Sequence, residues 1–248
     1  MNIIQKRQKR GLNSLIIRLY GFLVLAVYLA SGIKPEIASD LTRNLSWVCF
    51  PIFAFLIAQG MENSSDKLRY AARLLLFTLL AEIPYNLYKS SKFFYPQAQN
   101  GMFTLCLGFA VIWAVEFSYR KLHNMIVSGA ATYVLGLLAF RLAKFANFEF
   151  WSFGVMFVVL FYICTKTSYP RILMFGFLLI LSFYLASETY IIFNIGEMQY
   201  TMPHRSLFLF AFIPLCFYNG KRGPNRLWIQ IACYAFYPVV LLIMYFLK

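Results

Sequence analysis

Acidic residues are scarce. Nine Asp and Glu stand against 23 Lys and Arg in 248 residues, and charges of either sign make up only 13% of the chain. A soluble domain carries about a quarter charged residues, so this balance excludes an ordinary water-soluble fold. No polar stretch approaches the ~50 residues that a separate soluble domain needs, and residues 1–248 read as one membrane domain. Histidine is nearly missing. His123 and His204 are the two present, and both fall in expected loops on opposite sides, which argues against a histidine-based metal site. The five cysteines, Cys49, Cys106, Cys164, Cys216 and Cys233, lie within apolar runs and form no CxxC pair. Metal or redox use calls for clustered ligands, so they read as small packing residues and no metal is expected. No internal repeat or low-complexity segment is visible. That weighs against a small-solute transporter of the inverted-repeat type. No cleavable signal peptide is evident: Met1–Arg10 is a basic cap, and the run after it is long enough to stay as a span.

What the chain has in excess is apolar length, with 61% hydrophobic residues. A span needs about 20 apolar residues, fewer inside a bundle. The sequence predicts an all-α, polytopic transmembrane helical bundle of about nine spans, good to about one. They cover 12–33, 45–60, 70–88, 100–119, 125–145, 148–164, 172–193, 207–218 and 227–247. The eighth is short. Residues 188–205 read as a partly polar stretch of interfacial or re-entrant character, overlapping the end of the seventh span. Short loops favour an antiparallel bundle of sequential neighbours. The larger share of Lys and Arg near span ends falls on the side of the N-terminus, among them Lys67, Arg69, Lys166, Arg171, Lys221 and Arg222. This predicts a cytoplasmic N-terminus, although Lys89, Lys92, Arg141 and Lys144 run against it. The net charge of +14 suits flanks touching anionic lipid headgroups, not nucleic acid, for which there is no soluble basic face.

A few polar residues recur inside the runs. Glu82 and Asn86 lie one turn apart on one helical face, with Pro84 between them to free backbone carbonyls. A carboxylate at membrane depth costs roughly 2.5–3.5 kcal/mol on insertion scales, so Glu82 should face the bundle interior with a partner. Asn100, Thr104 and Gly108 form a second stripe, and Glu82, Asn86, Asn100 and Thr104 all fall in the outer half. Two accounts stay open: a small polar pocket, or interhelical bonding worth about 0.6 kcal/mol per bond. Arg73 lies on nearly the opposite face from Glu82 and is expected to snorkel to lipid phosphate. Arg18 and Glu116 read as interfacial. In Tyr218-Asn219-Gly220-Lys221-Arg222-Gly223-Pro224, Lys221 and Arg222 stand among glycines that let backbone N–H groups approach an anion. That suits a phosphate of a nucleotide-bearing cofactor or a lipid, or else an ordinary cytoplasmic turn. No catalytic constellation completes itself, because the spans hold no histidine and few acids.

These segments resemble the TraX family of bacterial multispan proteins, named for a pilin N-terminal acetylase. The resemblance rests on Phe50-Pro51-Ile52-Phe53-Ala54-Phe55, Tyr70 with Arg73-Leu74, and Glu82-Ile83-Pro84 with Asn86-Leu87. It continues through Asn100 with Phe103-Thr104-Leu105 and Gly108, the Tyr218–Gly223 loop, and Phe236-Tyr237-Pro238. It implies a helical membrane fold and acyl transfer from an acyl-coenzyme A donor. Departures run in one direction. Where the family carries an Asp-His pair in its first span this chain has Leu29 and Ala30, and Trp47 replaces an arginine. Gln59 replaces a glutamate, Asn63-Ser64 a His-Thr, and Val240 a histidine. The expectation is a catalytically degenerate, pseudoenzyme-like binding or accessory subunit with no cofactor. It would work beside another membrane protein in a transporter, peptide-export or cell-envelope complex of the bacterial inner membrane. The alternative is an active acyltransferase that moves an acyl group from acyl-coenzyme A to a peptide or envelope acceptor, using Glu82 with Asn86, Asn100 and Thr104. No catalytic residue is assigned. The candidate binding residues are Glu82, Asn86, Asn100, Thr104, Arg73, Gln59, Lys221 and Arg222.

Overall fold

Backbone that enters a bilayer must satisfy its own hydrogen bonds, and apolar runs of this length do so by coiling. The computed structural model describes residues 11–34, 36, 38–122, 125–184, 190–195, 198–224 and 226–248. Its helices are α1 (Ser14–Ser31), α2 (Asp40–Arg43), α3 (Ser46–Asn63), α4 (Lys67–Ser90), α5 (Gly101–Leu122), α6 (Met125–Phe145), α7 (Trp151–Thr165), α8 (Pro170–Tyr184), α9 (Phe208–Cys216) and α10 (Leu227–Leu247). Among the described residues, five stretches are both long and apolar enough to cross a membrane: Ser14–Ser31, Asp40–Asn63, Gly101–Lys121, Val127–Phe145 and Leu227–Leu247. The other four expected spans coincide with helices that fall short on one criterion. α4 is 24 residues long but carries Lys67, Arg69, Arg73, Glu82 and Lys89. α7, α8 and α9 are apolar but have 15, 15 and 9 residues. The chain is a polytopic helical membrane protein.

Starts are set locally. Asn13 caps α1 by accepting the Ile16 N–H at 3.0 Å, and Asp66 caps α4 by accepting that of Arg69 at 2.9 Å. Each supplies an acceptor to a first-turn donor that has no partner within its helix.

Order in space departs from order in sequence. α3 is the central helix, packed on α1, α5, α7 and α9, while α10 returns beside α4 and α1. The expectation of sequential neighbours holds for α1 with α3 and for each step from α4 to α9. It breaks from α3 to α4 and from α9 to α10, because the middle of α3 is apolar on every face. Val48, Phe50, Ile52, Ala54, Phe55, Ala58 and Met61 are all buried, so it must be surrounded. The Asn100-Thr104-Gly108 stripe also finds a purpose. A Cβ on Gly108 would lie 2.7 Å from Cγ2 of Val158, so α5 and α7 approach too closely for any side chain there.

The end of the seventh expected span is not helical. α8 stops at Tyr184, and β1 (Tyr190–Ile195) pairs antiparallel with β2 (Met198–Pro203), in register from Tyr190↔Pro203 to Ile195↔Met198. The β-branched and aromatic run Tyr190-Ile191-Ile192-Phe193 favours strand, and the two strands satisfy each other's backbone. Ile191 is fully buried and Met202 packs on the core. A short 3-10 turn, His204–Leu207, leads into α9. Met1–Arg10, His123, Ser187-Glu188-Thr189 and Glu197 lie outside the described residues, together with the expectations placed on them.

Candidate functional site

Two adjoining cavities lie within the bundle and share Arg18, Leu56, Tyr70 and Tyr234 in their walls. The first, here called the vestibule, has a volume of about 230 Å³. It lies at the end of the bundle where α1, α4 and α10 begin and α3 finishes. Arg18, Arg69, Arg73 and Arg222 line it with Gln59, Gln230, Tyr218 and Asp66. Arg69 is paired with Asp66 at 2.8 Å, and Arg73 donates from Nη1 to Gln230 Oε1 at 2.8 Å. The outer wall is the Tyr218–Pro224 loop, pinned to the start of α1. Leu12 N–H donates to Phe217 O at 2.8 Å, Asn219 N–H to Leu12 O at 2.9 Å, and Ser14 N–H to Lys221 O at 2.9 Å. Gly223 has φ +76°, and a Cβ there would lie 3.0 Å from Cγ of Asn13, so the loop requires glycine at that point. Lys221 and Arg222 are both exposed on this loop; Arg222 lines the vestibule and Lys221 does not.

The second cavity, the chamber, has a volume of about 140 Å³ and reaches toward the opposite end of the bundle. Tyr70 and Tyr234 stand in the walls of both cavities, where the chamber adjoins the vestibule. Rings of Phe22, Phe50, Phe150, Tyr28, Tyr85 and Tyr237 make most of the wall. Glu149 and Lys89 close the far end.

Glu149 belongs to the connection between α6 and α7, outside both helices. Its backbone is held by Gln99: Glu149 N–H donates to Gln99 O at 3.0 Å, and Gln99 N–H to Asn147 O at 2.9 Å. The Thr104 hydroxyl donates to Glu149 O. Asn147, Phe150 and Trp151 take positive φ of 53°, 62° and 40°. Such positions cost on the order of 1–3 kcal/mol each and persist only where the surroundings impose them. They turn the Glu149 carboxyl into the chamber. Loss of water pushes its pKa up to about 7, against the opposing pull of Lys89 and the Gly101 N–H.

Beside this end stands Trp47, at a position where the resemblance implies arginine. Its ring meets Phe150 and Phe208 edge-on at 5.3 and 5.2 Å, with His204 at 5.5 Å. The Arg205 guanidinium lies 5.7 Å from its centre. The turn after the hairpin thus brings a histidine and an arginine to this end of the bundle.

The expected site residues divide into two groups. Arg73, Gln59 and Arg222 line the vestibule, with Arg73 turned to Gln230 and into the cavity. Arg18, expected at the interface, lines both cavities, while Glu116 is ion-paired with Lys67 at 2.6 Å. Glu82, Asn86, Asn100 and Thr104 line neither cavity. Asn100 Nδ2 donates to Glu82 Oε2 at 2.6 Å and to Thr78 O at 3.1 Å, joining α4 to the start of α5. Asn86 Nδ2 donates to Phe93 O at 3.2 Å. The sequence reading missed Glu149, although a signal was present: one acid among aromatics, Phe148-Glu149-Phe150-Trp151, in the break between two apolar runs.

A family model described as TraX protein matches residues 36–248. No curated protein and no solved structure matches the chain significantly. The match takes in every wall of the two cavities except α1 and therefore most of the chain; this protein belongs to the TraX family.

Proposed function

We propose that this TraX-family protein is a binding subunit that has lost acyl transfer, serving a membrane transport or cell-envelope complex of the bacterial inner membrane. The observation that carries the reading is what lines the cavities. Leu29 forms part of the chamber wall and Gln59 part of the vestibule wall. Trp47 packs among aromatic rings, and Val240 is buried in the core. Each replaces a group that the resemblance implies to be ionisable. A mostly aromatic chamber of this size suits an apolar or acyl portion of a ligand. The exposed apolar faces of the long helices supply the lipid contact. The arginines at the vestibule end support a cytoplasmic N-terminus.

One observation favours the second reading, acyl transfer from acyl-coenzyme A. Glu149 faces the chamber with a pKa pushed up to about 7, where a general base works best at neutral pH. It suits that role better than Glu82, which Asn100 engages outside the cavities. The test is turnover of acetyl-coenzyme A by the purified protein with a peptide-amine acceptor, beside mass spectrometry of what copurifies in mild detergent. The proposal expects a stoichiometric membrane partner and no turnover. Turnover abolished by Glu149→Gln would replace it with the transferase reading.

A further inference from the structure

We infer that the vestibule is a binding site for a phosphate or pyrophosphate group, read by Arg73 and Tyr218 with Arg18 and Arg222. The inference concerns the cavity outside the tyrosine pair and holds whichever way the chamber's chemistry is decided.

Charge comes first. Four guanidinium groups line one cavity, and Asp66 is the carboxylate among its lining residues. That carboxylate is already engaged by Arg69, so Arg18, Arg73 and Arg222 face the cavity without an acidic partner in its wall. Like charges gathered around one space repel, and an anion between them relieves this. Arginine also offers a planar fork of donors that matches phosphate oxygens in pairs.

Hydrogen bonding points the same way. Arg73 Nε and the Tyr218 hydroxyl oxygen are buried, and neither has a partner among the described residues. Arg73 uses Nη1 on Gln230 and holds Nε in reserve. Unpaired buried polar groups are costly, and here both belong to residues that line the same cavity, N–H on one and O–H on the other. A ligand that accepts from both at once meets the need, and phosphate oxygens accept without donating. The loop is built to hold this arrangement. Backbone bonds from Phe217, Asn219 and Lys221 to the start of α1 hold the segment that carries Tyr218 and Arg222, and Gly220 and Gly223, at φ +81° and +76°, turn it.

Two sources share this chemistry: the phosphate of a soluble nucleotide-like molecule, and the headgroup of an anionic lipid. Calorimetry on the purified full-length protein in detergent, with inorganic pyrophosphate and dioctanoyl phosphatidic acid as probes, separates them. Saturable binding of at least one probe is expected, weakened about tenfold or more in both Arg73→Gln and Tyr218→Phe. Pyrophosphate binding that phosphatidic acid does not displace assigns a soluble ligand; tighter phosphatidic acid that displaces it assigns a lipid. The Tyr218→Phe variant keeps the ring, and unchanged melting without probe shows that it folds. Gly129→Ala, on α6 and in the wall of neither cavity, should bind both probes as the wild type does. No saturable binding of either probe, or wild-type affinity in both vestibule variants, overturns the inference.

Discussion

A carboxyl held at the end of an aromatic chamber must either keep its proton or meet the cost of charge away from water. For Glu149 the folded pKa of about 7 stands above the ordinary carboxyl value of 4.5. The folded state therefore binds the proton more tightly than the unfolded state. The associated stability is complete below about pH 4.5 and is lost as pH rises through about 7. The difference corresponds to about 3 kcal/mol as an upper figure, and Lys89 is the charged side chain that opposes it from α4. Melting in detergent between pH 5 and 8 should fall with rising pH in the wild type. In Glu149→Gln the fall should flatten, and the variant should exceed the wild type at pH 8; equal slopes would refute this account. Glu82 predicts a different behaviour. Its bond to Asn100 braces two helices, so Asn100→Ala should lower stability by about 1–3 kcal/mol through the partner left unsatisfied, without weakening ligand binding at either cavity. The sequence pointed to Glu82 because a lone acid deep in an apolar run stands out. For Glu149 the sequence offered only an acid among aromatics, since nothing in local spacing says that Asn147, Phe150 and Trp151 turn left-handed around it.

At the scale of elements, one glycine pair separates packing from propensity. Gly108 of α5 faces Val158 of α7 at a distance no Cβ tolerates, whereas Gly129 of α6 has nothing within 4 Å of an added Cβ. Gly108→Val should cost about 1–3 kcal/mol through overpacking. Gly129→Ala should be neutral or stabilise by up to about 1 kcal/mol, because alanine is the better helix former. Thermal melts of the two variants check this, and equal effects would mean that α5 and α7 are not in close contact. The helices themselves were readable from apolar length, since a run of that length has few ways to satisfy its backbone in lipid. Their ends were readable where a cap or charge marks them, as at Asn13 and Asp66. The hairpin was not readable from periodicity. Ile191-Ile192-Phe193 continues the apolar character of α8, and a short apolar run does not distinguish a buried strand from the last turn of a helix. Strand at 190–195 depends on its pairing with Met198–Pro203.

Across the whole molecule, chain direction fixes where the cavities open. α1 and α4 begin at the vestibule and end beside the chamber's far wall at Leu29 and Lys89, while α3 runs the other way, from Ser46 to Asn63. The vestibule and Glu149 therefore lie at opposite ends of the bundle, with the chamber between them. Neither end is visible in a reading of single spans, because the cavities arise from α10 returning to α4 and from α3 passing through the centre. The arrangement also predicts topology. In a variant with its native cysteines replaced by serine, Lys221→Cys lies on the exposed vestibule loop, and Asn147→Cys lies on the connection that carries Glu149. With the cytoplasmic N-terminus proposed above, a membrane-impermeant maleimide added to intact cells should label the Asn147→Cys protein and spare the Lys221→Cys protein until the membrane is opened. Labelling of both from one side would put the chamber's two ends on one membrane face and refute the placement of the vestibule and Glu149 at opposite ends of α4.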